Sequence, residues 1–425
     1  MEEIHVPAQD NSPSIEHTLR PISYTSWFMG VGVARPRKCS MFQTIYLRFG
    51  HMVICTTYLI QHIRYASHMS FVFNMDVFKF MYVIDRATDF VSTYYYIYHG
   101  IRQYNKWPEL MDKMKEFDRK IKRETHTNDQ PVKKLGVIAS LMTFACCPVL
   151  IVVHAQYLSY LNLKIRYFDL LIYYTTARSL INSFVFDIVV YVLYNRYQTI
   201  NKLLDQLNEL SDAPLIAFKI RRIRELHNDI CDLVSTINDI HGFHLLLCSA
   251  NCFSIIVIKL FLTYKYVKSG YDDSLLLFNT IWIIYIIQFG LICWICTLVR
   301  QEFDKTKIIM CAIALKFKSM NFDKLNDTMN QPSLEVQPAL EDAESEQNSN
   351  WNNSHDWNYA VMDNLLHKIL DRDHVRKEIN DFLIQLEHCQ VSFTACDFFK
   401  MNINLFCGFI GIIVTYCIIF IQFTT

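Results

Sequence analysis

The chain has 425 residues and carries 41 Lys and Arg against 41 Asp and Glu, a formal net charge of zero. Apolar residues make up 52% and aromatic residues 14%, while charged residues reach only 19%, below the roughly 25% of an ordinary soluble domain. A nucleic-acid binder needs a basic excess and is excluded, and a disordered chain, which would lack apolar and aromatic residues, is disfavoured. What decides the class is whether the apolar residues arrive in blocks of about 20, the length that crosses a bilayer.

Residues 1–41 open with MEEIHVPAQDNSPS and offer no basic leader followed by an early apolar run. They read as a cytoplasmic N-terminal segment and not as a signal peptide. Seven apolar blocks follow: Phe42–Gln61, Phe73–Tyr98, Leu135–Leu161, Tyr167–Tyr194, Gly242–Tyr266, Leu275–Arg300 and Met401–Phe423. The third, fifth, sixth and seventh are strong. The first is weak, and the second holds Lys79, Asp85, Arg86 and Asp89. Seven such blocks in one chain argue for an all-α membrane protein with seven transmembrane helices.

Lys and Arg are retained in short cytoplasmic loops. The segment before block one, the loop from Arg102 to Lys134, the loop from Arg196 to Arg224 and the segment after block six are all basic, and the alternate loops are short and charge-poor. This places the N-terminus in the cytoplasm and the C-terminus outside. Tyr194–Leu210, Ile216–Ile240 and Lys368–Cys396 continue a helical apolar spacing without a breaker, so long cytoplasmic helical extensions are expected. Residues 325–360 are acidic and rich in Asn, Gln and Ser, and read as a disordered insert. The sequons at Asn326 and Asn352 fall in or beside it, on the side where glycosylation does not occur. The chain then divides into the N-terminal segment 1–41, a six-helix ligand-binding bundle 42–300 with extensions at about 195–240, a cytoplasmic anchor segment 301–398 that holds the insert, and a seventh helix within 399–425.

The 14 cysteines sit mainly in apolar blocks or cytoplasmic segments, so no disulfide framework is expected. Cys293 and Cys296 form a CxxC inside block six, where a buried thiol pair is the plain reading. No P-loop, HExxH, GxSxG or GxGxxG occurs. Neither an enzyme nor a cofactor or metal is expected.

Ionisable and polar groups at membrane depth are costly and mark function. With this orientation, Asp85, Asp89, His154, Tyr157, Tyr174, Arg178, Tyr264, Asn279, Trp282 and Tyr285 gather in the middle and outer part of the bundle. Aromatic rings with a few hydrogen-bonding groups suit a small-molecule pocket, and the carboxylates and amides suit the hydroxyls of a sugar. Tyr157, Tyr264 and Trp282 also fit an interfacial aromatic belt, and Arg178 with Asp85 or Asp89 also fits a structural ion pair.

The last block runs Thr415-Tyr416-Cys-Ile-Ile-Phe-Ile-Gln422-Phe423. It resembles the TYhhhhhQF signature of insect gustatory receptors, where h is hydrophobic. The flank Phe382–Phe406 resembles the family too, with Asp397 standing where the family usually has Gly. The resemblance implies a ligand-gated cation channel assembled as a homotetramer, or as a heteromer with related subunits. It places the channel in the plasma membrane of chemosensory neurons, with membrane lipids around it. The seventh helix of each subunit would line the pore, with Tyr416, Ile419, Gln422 and Phe423 at or near the gate. A small-molecule tastant would bind within each subunit. The polar cluster points to a sugar, with a bitter compound, or an odorant receptor of the same fold, as the alternatives. A cytoplasmic N-terminus argues against a G-protein-coupled receptor. The lack of paired Gly/Pro-broken helices argues against an inverted-repeat transporter.

Overall fold

The computed structural model describes residues 14–69, 76–125, 129–160, 171–207, 210, 212–268, 275–329 and 373–424. They form helices α1 (Ile15–Thr18), α2 (Arg20–Phe28), α3 (Met41–Met69), α4 (Asp76–Arg102), α5 (Lys106–Lys122), α6 (Gln130–Tyr160), α7 (Leu171–Gln206), α8 (Ala213–Lys268) and α9 (Leu275–Met329). After these come α10 (373–388), the two-residue strands β1 (Thr394–Ala395) and β2 (Phe399–Lys400), and α11 (Ile403–Thr424). The acidic insert 325–360 lies outside the described residues, except where α9 runs through its first five positions.

Each start and stop has a local cause. Ser14 caps α1 through its hydroxyl, which accepts from His17 N at 3.4 Å, and Pro21 fits the first turn of α2, where no N–H is needed. Ser40 and Gln43 cap α3 reciprocally. The Ser40 N–H donates to Gln43 Oε1 at 3.0 Å, and the Gln43 N–H donates to Ser40 Oγ at 3.2 Å. This is the capping-box arrangement that satisfies two orphan N–H groups. α5 buries Trp107, Leu110, Met111, Met114, Phe117 and Ile121, one face at helical spacing, and turns its lysines outward.

Four of the described helices are long and apolar enough to cross a membrane by length and composition: Gln130–Gln156, Leu171–Gln206, Ala213–Leu260 and Trp282–Phe317. Ile403–Tyr416 is a shorter apolar run. α3 and α4 coincide with the first two expected blocks and have the length, 29 and 27 residues, but hold ionisable groups such as Arg48, Arg86 and Asp89. α8 and α9 contain 56 and 55 residues. At 1.5 Å per residue each is about 80 Å long, far more than the roughly 30 Å of bilayer hydrocarbon.

The contacts divide the chain into two compact units. The first comprises 1–196, 230–301 and 391–425. Its innermost helix is α7, buried on nearly every side from Tyr173 to Leu193. Arg196, at the end of this unit's share of α7, grips α5 and the segment before α6. Its Nε donates to Asp118 Oδ1 at 2.8 Å, and its Nη2 donates to Asp118 Oδ2 at 3.2 Å and to Asp129 Oδ1 at 2.6 Å. All three side chains are nearly buried. Burial pushes the Asp118 carboxyl above its ordinary value, and the Arg196 charge opposes that rise. In the same unit the β1–β2 hairpin is clamped by Asn238 of α8. Its Nδ2 donates to Ser392 O at 2.9 Å, and its Oδ1 accepts from Thr394 N at 3.2 Å.

The second unit comprises 197–229 and 302–390. It is a small bundle with an apolar centre that includes Ile200, Leu204, Ile220, Ile223, Met310, Ile313, Val375, Ile379 and Leu386. Burying each large apolar side chain contributes about 1.5–3 kcal/mol. His227 lies among the rings of Phe303 and Phe382, both with centroids 5.6 Å away. Burial holds it at about 4, below its usual value, and the Lys307 charge acts in the same direction. Arg224 joins α8 to α10 through Asp381 at 3.0 Å and Glu378 at 3.3 Å. Asn201 joins α7 to α9 through Glu302 and Thr306.

Candidate functional site

The polar residues singled out from the sequence come from α4, α6, α7, α8 and α9. The side chains of Asp85, Tyr157, Tyr264 and Asn279 lie outside the described residues, as does that of Phe423. Of the others, the structure brings Asp89, Tyr174 and Arg178 into one cluster. It adds His51 and Cys55 of α3, Thr175 of α7 and the backbone of residues 29–30.

Tyr174 and Arg178 are four residues apart on α7, one above the other on the same face. The Arg178 guanidinium carbon sits 5.4 Å from the Tyr174 ring centroid. The Tyr174 hydroxyl is hydrogen-bonded to His51 Nδ1, and His51 Nε2 is 2.9 Å from Phe28 O. On the α4 side, the Thr175 hydroxyl donates to Asp89 Oδ2 at 3.3 Å.

Arg178 is 1% exposed and spends its donors on the protein. Nε donates to Met29 O at 3.1 Å, Nη2 to Gly30 O at 3.1 Å, and Nη1 to Cys55 Sγ at 3.0 Å. It forms no ion pair with Asp89. Arg48 of α3, also 1% exposed, holds the next part of the same loop. Its Nη2 donates to Gly32 O at 2.8 Å and to Val31 O at 3.1 Å, and its Nη1 donates to Tyr96 O at 3.3 Å. Two buried guanidiniums thus bind the carbonyls of residues 29–32, a segment that turns through Gly30 at φ +67° and Gly32 at φ +58°. Glycine is required there on two counts: the positive φ, and the Asn182 side chain, into which a Cβ on Gly32 would run.

His154 lies on α6 and bonds through Nδ1 to the Tyr173 hydroxyl, the neighbour of Tyr174 on α7. Trp282 is half-buried and Tyr285 is buried. The Tyr285 carbonyl accepts from the Cys252 thiol at 3.5 Å, which ties α9 to α8. Deeper on α7, Asp187 Oδ2 accepts from Gln288 Nε2 of α9 at 3.0 Å. The cluster offers donors, acceptors and aromatic faces suited to recognition. Among the described residues no group of His, Cys, Asp and Glu could hold a metal.

Of the chosen gate residues, Tyr416, Ile419 and Gln422 lie exposed on α11. The packed face of this helix meets α8 and α9 through aromatic rings. Phe409 is 4.9 Å from Phe289 and 5.5 Å from Phe253, and Tyr416 is 6.1 Å from Phe253. Gly290 makes room for Phe406, which a Cβ would approach to 3.3 Å. Ile412, Val414, Ile418 and Ile419 of the same helix are exposed. At the helix start, Ile403 N donates to the Thr297 hydroxyl at 2.9 Å and Leu405 N donates to Asn402 Oδ1 at 2.8 Å.

Sequence reasoning missed His51, Cys55 and residues 29–32. The available signals were the closely spaced glycines of Gly30-Val-Gly32-Val and the four-residue interval between His51 and Cys55, which puts both on one face of α3.

A family model described as 7tm chemosensory receptor matches residues 19–330 and 362–425. No curated protein matches the sequence. In fold, the chain is similar to the insect olfactory receptor OR5 from Machilis hrabei in complex with eugenol. That likeness has a TM-score of 0.59 at 11% identity and covers 95% of this chain and 97% of that one. The same receptor without eugenol gives a TM-score of 0.58 at 11% identity, covering 96% and 97%.

Proposed function

The chain belongs to the 7tm chemosensory receptor family of insects, a multi-pass membrane protein, and from that premise we propose that it is a taste receptor acting as a ligand-gated cation channel. The observation that carries the reading is α11. It has 22 residues with no acidic residue in its first turn and no basic one in its last, it bears the Tyr416…Gln422 signature, and its outward face is apolar. A helix with such a face needs lipid or other subunits around it. In a tetramer, four copies supply the walls of a pore, and apolar rings at the Phe423 level close it by dewetting. The N-terminus is cytoplasmic in this reading, as the Lys and Arg distribution requires.

Ligand recognition belongs to the cluster around Asp89 and Tyr174. A polar tastant such as a sugar finds an acceptor in the Asp89 carboxylate and an aromatic face in Tyr174. Binding opens the channel only by favouring the arrangement in which the α11 rings part. One observation favours a second reading, an apolar bitter compound or odorant: Arg178 and the Tyr174 hydroxyl already have partners within the chain, which leaves rings as the larger free surface.

The test is whole-cell current from this chain expressed alone, with sugars and bitter compounds applied in turn. A cation current evoked by sugars, and weakened at least about tenfold in sensitivity by Asp89→Ala, supports the first reading; tenfold corresponds to 1.4 kcal/mol. A current evoked by apolar compounds alone supports the second. Current without ligand from Phe423→Ala supports the gate, and a silent, surface-expressed Phe423→Ala overturns it.

A further inference from the structure

A cavity of about 330 Å³ opens between the C-terminal end of α4, the middle of α8 and the β1–β2 hairpin. Its volume falls in the range of roughly 300–1,000 Å³ that small-molecule sites occupy. The walls carry three aromatic rings, Tyr95, Tyr98 and Phe243, and charges of both signs, Arg102 against Asp239 and Asp397.

These charges are not spent on one another. Arg102 donates to the Tyr98 hydroxyl at 3.2 Å and stands 5.9 Å from that ring's centroid, and it has no ion pair among the described residues. Asp239 has neither a hydrogen bond nor an ion pair among them. Asp397 accepts from the Thr394 hydroxyl at 2.9 Å. The charges stay apart because the elements carrying them are fixed. The hairpin is clamped by Asn238 and lies so close to α8 that a Cβ on Gly242 would come within 3.2 Å of Cys396 N. A single-sign ion would satisfy one wall and be repelled by the other. An occupant with separated positive and negative groups satisfies both.

A second feature points to what carries that occupant. On α4, Ile84, Val91 and Tyr98 are exposed. They follow one another at intervals of seven, which keeps them on one helix face, and the stripe ends one turn before Arg102. In a bilayer such a stripe is a track for an acyl chain.

We propose that this cavity seats the headgroup of an ethanolamine phospholipid. The phosphate meets Arg102, whose guanidinium suits phosphate oxygens. The ammonium meets Asp239 and Asp397 and the faces of Tyr95 and Phe243, and one acyl chain follows the Ile84–Val91–Tyr98 stripe. Ethanolamine fits better than choline because its ammonium has N–H donors for two carboxylates. The proposal rests on α4 lying in the bilayer, as in the proposed function, and not on any tastant. Because the hairpin leads through Met401 and Asn402 into α11, a lipid that braces the hairpin also braces the start of that helix.

The experiment is native mass spectrometry of the purified, delipidated full-length protein, with phosphatidylethanolamine, phosphatidylcholine or phosphatidylglycerol of matched acyl chains added in turn, and with water-soluble glycerophosphoethanolamine as a fourth arm. Phosphatidylethanolamine is expected to be retained most, and Arg102→Gln and Asp239→Asn are each expected to lower its affinity at least about tenfold. Val91→Ser is expected to lower phosphatidylethanolamine retention without changing glycerophosphoethanolamine binding. Both charge-altered side chains are exposed, so these variants are expected to keep the wild-type elution profile. Equal retention of the three lipids, or no loss in either charge variant, overturns the site. Glycerophosphoethanolamine binding as tightly as the lipid overturns the acyl track. Cross-linking between copies through Tyr98→Cys without retained lipid shows a second chain covering the face, and also overturns it. No tastant or current enters the readout, so a silent channel and a lost lipid site are separate results.

Discussion

α7 and α11 invert the usual link between polarity and position. α7 carries Arg178, Asn182, Asp187 and Arg196 and is the most enclosed helix of its unit. α11 is the most apolar helix and leaves Ile412, Val414, Ile418 and Ile419 uncovered. The reason is partnership. The α7 residues Arg178 and Arg196 meet carbonyls or carboxylates inside the chain, so enclosure costs little once those bonds form. The exposed apolar residues of α11 are left uncovered by the described residues, and in a membrane they need no partner from water. A membrane protein sorts its helices by where their partners are, and composition alone does not reveal that.

The contrast breaks most readily at Arg196. Arg196→Ala removes the cation that binds both Asp118 and Asp129 in a nearly buried site, and losing one member of such a group costs about 3–5 kcal/mol. Thermal unfolding of the solubilised receptor is expected to drop accordingly, with little surface expression. A wild-type melting point would show that these charges are solvated.

His227 gives the next effect, in a part of α8 outside the apolar stretch 242–266. Its folded value is held down to about 4, while the unfolded side chain titrates near 6.5. Between those limits the unfolded chain binds more protons, so stability is full above pH 6.5 and falls as the pH drops toward 4, by about 3 kcal/mol at the lower limit. His227→Phe is expected to flatten that part of the stability curve, and an unchanged curve would count against a neutral, buried His227.

Gly32→Ala is expected to cost about 2 kcal/mol, within the range for a strained positive φ, and to lower the melting point less than Arg196→Ala does. Ile412→Ala sharpens the other side of the comparison. A surface substitution away from special features stays within about 0.5 kcal/mol, so the solubilised chain is expected to melt as wild type. If the proposed channel assembles, its current is expected to change. A strong loss of stability in the solubilised chain would mean that this face is packed in a single subunit.

Much of this was legible in the sequence because it was written in block length. α7 and α9 begin near their apolar blocks and run on past them, α8 begins in the expected extension and runs on into its block, and α10 falls within the helical spacing read from Lys368 onward. α5 was not read as a helix, since its apolar positions are masked by a dense basic composition. The hairpin gave no turn signal: Cys396 and Asp397 take positive φ without the Asn-Gly or Asp-Gly pair that normally marks such a turn. At the site, Asp89, Tyr174 and Arg178 were grouped from depth alone. The loop at residues 29–32 was not, because carbonyl groups belong to every residue and leave no trace in side-chain composition.

That loop also dictates an order of assembly. The carbonyls of Met29 and Gly30 are held by Arg178, which leaves the ribosome roughly 150 residues later. At about 5–20 residues per second, the interval is roughly 7–30 s. Through that time the carbonyls of Met29 and Gly30 lack their partner, although Arg48 can already hold those of Val31 and Gly32, and the loop is fully fixed only when α7 arrives. The part of the receptor made first is therefore among the last to be locked, and truncated nascent chains that stop short of Arg178 would expose it to proteases.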